Sequence, residues 1–420
     1  MSRKITMAIL GAGARGGRYA AYAEAYPEQV QITAVAEPDD FRRKKMADLY
    51  QIPEDRCFHS WEDFVKQPKM CDAVAICTQD HMHEEPAIEC ARLGYHILLE
   101  KPMAPTAEAC KRIVAAVKEA GVMMAVCHVL RYTNYTRIIK DVIASGEIGD
   151  IVTIQHLEPV GYWHQAHSFV RGNWSNEAES SFMLLAKCCH DVDWLRGVMG
   201  KKCTAIQSFG TLRHFKVSEK PAGAADRCTA CPVAVESNCP YSAAKIYFRD
   251  RYIKGNTEWP VDVLAPVITA ESLADALENG PYGRCVYNCD NDVVDNQVVN
   301  MIFDDGSTAS MTMTAFNFHA GRYTRIFGTR GEIDTDSSII KVRHFVDNSE
   351  RVIDSNIAND GGILTGHGGG DFGIMENFVG AVAQNDPARI LTGVDETLES
   401  HLMVFAAEES RKKQTICTLD

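Results

Sequence analysis

The chain has 420 residues, 46% hydrophobic and 24% charged, an ordinary globular balance that predicts two or three domains with ample core. A formal net charge of −13, with no long basic run and no basic-aromatic interleaving, argues against nucleic acid or an anionic membrane as a partner. No apolar stretch approaches the roughly 20 residues that span a bilayer. The opening "MSRKITMAILGAG" reads as a strand entering a glycine turn, not as a signal peptide, so a cytoplasmic location is expected.

Strands and helices alternate at short spacing through the first part of the chain. "KITMAILGAG" reads as strand, "RGGRYAAYAEAY" as helix, "QITAVAEP" as strand and "FRRKKMADLY" as helix. "CDAVAICT" follows as a buried strand, "HEEPAIECARLG" as a helix stopping at Gly94, and "YHILLEKP" as a strand. "TAEACKRIVAAVKEAG" is a helix capped by Thr106, and "VMMAVCHV" closes the series as a strand. This rhythm predicts an α/β fold built on a parallel sheet with helices on both faces.

Gly11-Ala12-Gly13-Ala14-Arg15-Gly16 fits G-x-G-x-x-G between the first strand and helix, where glycines permit a tight turn and close approach of a pyrophosphate. Glu37 ends the second strand, the position from which a carboxylate bonds the adenine ribose hydroxyls. That charge would repel a 2′-phosphate, so NAD is favoured over NADP, although Arg42 and Arg43 keep the second cofactor in play.

With the glycine loop, three further segments, "CTQDHMH" from Cys77, "EKPMA" from Glu100 and "HDVDWLRGVMG" from His190, resemble the glucose–fructose oxidoreductase/inositol dehydrogenase/rhizopine-catabolism (Gfo/Idh/MocA) family. The resemblance implies a Rossmann NAD-binding domain over residues 1–130. An α/β domain with a large open, mostly antiparallel sheet would follow over 131–420, often packed on a second subunit as a dimer or tetramer. The cofactor would be lined by Gly11, Gly13, Ala14, Arg15, Glu37, Thr78, Gln79, His83, Glu100 and Lys101. Lys101 would also contact substrate, and His190 would exchange the hydroxyl proton as hydride moves. Histidine titrates near neutrality, and a lysine beside a cationic nicotinamide donates readily to a developing alkoxide. Where the family often carries an aspartate one turn before the histidine, this chain has Ala186, followed by Lys187. Lys187 is therefore a candidate acid/base group, and Asp193 the residue to orient the imidazole or touch substrate. Inositol dehydrogenase activity does not carry over.

"HLEPVGYWHQAHSFVRGNW" reads as a loop rich in histidine and tryptophan, a mixture suited to a carbohydrate. Its candidate contacts are Tyr162, His164, His167 and Arg171. A cysteine-rich insert spans about 213–290. Cys228, Cys231 and Cys239 stand at metal-ligand spacing in "CTACPVAVESNC", with Cys285 or Cys289 as a fourth ligand, giving a closed structural zinc site. An iron–sulfur cluster uses the same ligands, and free or paired thiols are the remaining option. Beyond the insert, "NQVVNMIFDDGSTASMTMTAF" gives a hairpin through Asp-Gly, and "GTRGEIDTD" a further turn and strand. "TGHGGGDFGIMENFVGAVAQ" combines a glycine loop with a helix and offers His367 and Asp371 as contacts; "VDETLESHLMVFAAEESRKK" is a last amphipathic helix.

The expected activity is hydride transfer between NAD and a secondary hydroxyl of a sugar, inositol or glycoside. The rival is a glycosidase that keeps NAD bound, oxidises its substrate transiently, eliminates the glycosidic bond and returns the hydride. A nucleotide-sensing protein without activity would be expected to lack the lysine or the histidine.

Overall fold

Short, almost wholly apolar strands have both faces to bury, and here they stack in parallel. The computed structural model describes residues 3–318, 321–356 and 367–419. Strands β1 (Ile5–Leu10), β2 (Val30–Ala36), β3 (Cys57–Phe58), β4 (Ala73–Ile76), β5 (His96–Leu99) and β6 (Met124–Val126) form a parallel sheet of order β3-β2-β1-β4-β5-β6. The order reverses at β1, and in such sheets the crevice at the strands' carboxyl ends binds ligand. Helix Ala107–Ala120 starts where expected, with the Thr106 hydroxyl accepting from the Ala109 amide, and stops at Gly121, whose φ of +64° few other residues adopt.

The second sheet is built from β7 (Ile151–Pro159), β8 (Cys203–Thr211), β9 (Asn296–Phe303), β10 (Thr308–Thr314), β11 (Tyr323–Gly328), β12 (Gly331–Thr335), β13 (Ile339–His344), β14 (Glu350–Asp354) and β15 (Cys417–Thr418). Its order is β14-β13-β12-β11-β7-β10-β9-β8-β15, antiparallel throughout except for the parallel pair β7–β10. The β9–β10 hairpin turns at Asp304-Asp305-Gly306, as the Asp-Gly signal predicts. Burial alternates along β9, so one face is packed and the other open. Helices Asn134–Ala144, Cys189–Met199 and Val394–Lys413 cover the packed face with Ile139, Trp194, Leu195, Met403 and Val404.

The two sheets are not served by separate stretches of chain. Helix Gly370–Gln384 returns from the second sheet to the first, and Ile374, Met375, Phe378 and Val379 share a core with Ile5, Met7 and Ile9. The last helix likewise touches both cores, Met403 and Val404 facing the second and Val394 and Leu398 the first.

The insert leaves at the end of β8 and returns at the start of β9. Its neck is closed by Asp295, whose carboxylate accepts from the Arg213 and His214 amides while its own amide donates to the Thr211 carbonyl. Beyond the neck it builds a small aromatic core of Phe215, Tyr241, Tyr247 and Tyr287 that also takes in Ala166 and Val170. Those two belong to the stretch expected to be a loop, which is instead helical: Tyr162–His164 continues into a wider π turn over Gln165–Arg171. Covered by the insert, this backbone is out of water and satisfies itself helically.

The expected zinc site is corrected here. Cys228, Cys231, Cys239 and Cys285 do line one small cavity. Among the described residues, however, no group of three or more His, Cys, Asp or Glu side chains is arranged to hold a metal ion. A guanidinium stands among the thiols, with Arg171 Nη2 3.5 Å from Cys228 Sγ, and Cys289 turns its thiol to the Cys285 carbonyl at 3.2 Å. A buried arginine and aromatic packing hold the insert against the rest of the chain.

Because Phe378 is fully buried where helix Gly370–Gln384 meets the first sheet, Phe378→Ala is expected to cost about 3–5 kcal/mol. Urea unfolding of the variant measures this.

Candidate active site

The glycine loop is shaped by what its backbone touches. Gly11 has φ +94°, and a Cβ there would lie 2.6 Å from the Cys77 carbonyl oxygen; one at Gly16 would lie 2.1 Å from the Gly11 oxygen. A Cβ at Gly13 would meet nothing within 4 Å, so the loop leaves open space before the helix that Ala14 begins. Glu37 spans the crevice: its carboxylate accepts from the Ala12 amide at 2.6 Å and the Asp39 amide at 3.0 Å. Arg43 is committed to the Glu37 carbonyl at 2.7 Å and to Asp40. Thr78 and Gln79 follow β4 at the same edge. His83 acts as a strut between two loops, its ring nitrogens 2.8 Å from the Pro102 carbonyl and 3.1 Å from that of Thr78.

Arg15 gathers the floor of this crevice. Its guanidinium meets Glu100 at 2.5 Å, Asp371 at 2.7 Å and the Tyr19 hydroxyl. Burial would raise the Glu100 pKa, but Arg15 and Lys101 prevail and hold it low. Asp371 thus anchors the C-terminal helix to the glycine loop. The side chain of His367 lies outside the described residues.

Lys101 follows Glu100, and its Nζ donates to the Ala186 carbonyl at 2.9 Å. That carbonyl ends the short helix Met183–Ala186, just before the helix that carries His190 in its first turn. The lysine at the carboxyl end of β5 is thereby brought to the segment bearing the histidine. His190 is 6% exposed, and its ring stands edge-on to His128 with centroids 5.6 Å apart. His128 in turn lies 5.3 Å from His401. Burial, aided by Arg131 and Lys101, pushes His128 down to about 3; burial and His128 do the same to His401. Asp193 stands against Arg131, 3.5 Å away, at the His401 end of this row, and burial raises its pKa. It neighbours Ser400 and His401, a setting that does not suit substrate contact.

A second set of charges adjoins the lysine. Lys187 Nζ lies 3.2 Å from Glu158, which also meets Arg322 at 3.1 Å. Arg322 clamps Asp191 through two nitrogens at 2.5 and 3.2 Å, and His156 reaches Asp191 at 3.0 Å. Despite burial, Arg322 and His156 hold Asp191 well below the usual carboxylate range. Sequence reasoning passed over His156, Glu158, Asp191 and Arg322. The signal available was polar residues at alternate positions of β7, which point to one face.

The four residues expected to touch substrate divide in two. His164 is pushed down in pKa by burial and by the charges of Lys187 and His167. Tyr162 packs against Phe318 and Tyr241, ring centroids 6.3 and 6.4 Å away. His167 and Arg171 are turned to the insert. His167 pairs with the Tyr247 hydroxyl at 2.8 Å and stacks on Tyr282, while Arg171 donates to the carbonyls of Arg284 and Tyr241 at 2.7 and 2.8 Å.

A family model for an oxidoreductase family with an NAD-binding Rossmann fold matches residues 5–128, and its C-terminal alpha/beta companion matches residues 140–418. The chain belongs to the Gfo/Idh/MocA oxidoreductase family. Within it, a putative oxidoreductase of Bacillus subtilis is 22% identical over 401 residues, covering 89% of this chain and 87% of that protein. The 2,7-anhydro-N-acetylneuraminate hydratase of Escherichia coli is 27% identical over 207 residues, 49% of this chain; the match spans only 52% of that relative. Levoglucosan dehydrogenase, solved in complex with NADH and levoglucosan, shares the fold with a TM-score of 0.71 at 17% identity, covering 99% of both chains.

The buried histidines carry a pH consequence. His128 and His401 have folded pKa values near 3, below the ordinary 6.5, so the unfolded chain takes up protons first on acidification. Stability present above pH 6.5 is therefore lost progressively down towards pH 3, by about 2 kcal/mol per histidine at pH 5. Urea unfolding at pH 7 and pH 5 should show the fall, and His128→Phe should reduce it.

Proposed function

We propose that this family member is an NAD-dependent oxidoreductase that moves a hydride between nicotinamide C4 and a secondary hydroxyl of a sugar, inositol or glycoside. The observation that carries the reading is the bond from Lys101 Nζ to the Ala186 carbonyl, which ties the end of β5 to the segment bearing His190. NAD supplies the hydride acceptor. The open space at Gly13 and the acceptor atoms of Glu37 suit its pyrophosphate and adenine ribose, and Arg43, spent on Glu37 and Asp40, offers little to a 2′-phosphate. His190 takes the hydroxyl proton, and Lys101 donates to the oxygen as negative charge develops. Lys187 and His164 face the substrate, Lys187 poised by Glu158.

The redox-assisted glycosidase is the second reading, and the Lys187–Glu158 pair favours it. Elimination needs one more acid/base group than hydride transfer, and this pair adjoins Lys101 through the Ala186–Lys187 peptide. A panel of nitrophenyl glycosides and free sugars, incubated with NAD and followed at the NADH and nitrophenol bands, separates the readings. NADH accumulating without nitrophenol supports the dehydrogenase, and nitrophenol released without net NADH supports the glycosidase. Lys101→Met and His190→Asn are each expected to lower kcat about 10²–10⁴-fold; full activity in either variant would falsify the assignment.

The protein also reads as a homo-oligomer. Phe209, Val298, Ile302, Tyr323 and Val352 stand exposed on strands β8, β9, β11 and β14, an open apolar face suited to a second copy. Light scattering should give a dimer or larger, and Ile302→Asp should shift it towards monomer.

A further inference from the structure

The insert brings an indole to the substrate side. Trp259 is 43% exposed, yet three rings hold it: Trp163 at 5.2 Å, His164 at 4.9 Å edge-on and His167 at 5.4 Å edge-on. Each belongs to the helical segment 162–171. Trp163 is itself fixed by Arg251, whose guanidinium lies 4.1 Å over the indole. His167 is pinned by Tyr247 and Tyr282, and Arg171 further along is bonded to two carbonyls of the insert. A surface tryptophan held this firmly has lost little freedom still to lose on binding.

Its position gives the fixed indole a use. His164, in edge contact with Trp259, is the same histidine whose pKa the charge of Lys187 helps to lower, and Lys187 stands beside the residue whose carbonyl receives Lys101. From Lys101 the path leads to the Ala186–Lys187 peptide, and Trp259 is joined by ring contact to His164, whose imidazole feels the charges of both Lys187 and Lys101. An aromatic face beside hydrogen-bonding side chains, one step outside a reacting centre, matches a pyranose with an apolar C–H face and polar edges.

We propose that Trp259, with Trp163 and His164, forms a second sugar subsite that stacks the neighbouring pyranose of a disaccharide while the first ring is presented to the nicotinamide. This rests on reading the Lys101–His190 cluster as a sugar-oxidising site. The insert then acts as a specificity element, and the preferred substrate carries a glycosidic bond.

The test compares maltose, cellobiose, lactose and N,N′-diacetylchitobiose with glucose, galactose and N-acetylglucosamine, using the full chain and NAD. The wild type is expected to favour a disaccharide over its free sugar in kcat/KM. Trp259→Ala is expected to lower that preference about tenfold, through KM, with Trp259→Phe restoring most of it. An equal effect of Trp259→Ala on both members of the pair, or no effect on either, overturns the subsite. If no sugar is oxidised, calorimetry on the NADH-loaded protein decides the matter separately. Disaccharide binding that disappears in Trp259→Ala keeps the subsite and sinks the hydride-transfer reading, while failure of all four disaccharides to bind overturns the subsite.

Discussion

Two buried carboxylates meeting at one guanidinium hold the molecule's parts in register. Glu100 directly follows β5, Asp371 opens the returning helix Gly370–Gln384, and Arg15 lies in the first turn of the helix that follows the glycine loop. Carboxylates this deep are stable only when paired, so the three elements must arrive together or leave uncompensated charge behind. The pairing draws on Arg15, two residues after Gly13, and on Glu100, next in sequence to Lys101. The cofactor crevice, Lys101 and helix Gly370–Gln384 are thereby fixed to each other before any ligand arrives.

A second charged assembly works at the other wall. Asp191, on the His190 helix, is shared by Arg322 and His156, and Glu158 joins Arg322 to Lys187. The helix N-terminus, β7 and the segment entering β11 are thus cross-linked by ionic bonds whose members are mostly out of water. Such low-dielectric networks resist rearrangement, since losing one member leaves its partners unpaired. The proposed chemistry sits between two rigid walls, one neutral in sum around Arg15 and Lys101, the other balanced around Arg322.

Local features were legible in the sequence because their causes are local. Alternating strands and helices, the Thr106 cap, the close approach demanded at Gly11 and Gly16, Glu37 at its strand end and the Asp-Gly hairpin each follow from neighbours a few residues apart. Partners far apart in sequence escaped notice. Asp191 with Arg322, Arg15 with Asp371 and Lys187 with Glu158 join segments that only the folded sheet brings together. The segment from Tyr162 to Arg171 looked like a substrate loop because its composition is that of a binding surface; the insert's aromatic core turned half of it inward. The same insert explains the cysteine misreading: spacing suited to a metal was met by an arginine from another element, and nothing in the cysteine run announces Arg171.

The neck at Asp295 has a consequence for how this scaffold can change. Strands β8 and β9 are adjacent and antiparallel, so a short turn would suffice to join them, yet a whole aromatic subdomain hangs between. One carboxylate clasps the outgoing and returning chain at the sheet edge, so the ladder beyond is indifferent to the size of what lies outside it. Closing a longer excursion adds little entropy cost once the ends are clasped. The β8–β9 junction is therefore a socket, a place where a lineage can exchange one insert for another while the sheet and the crevice stay where they are.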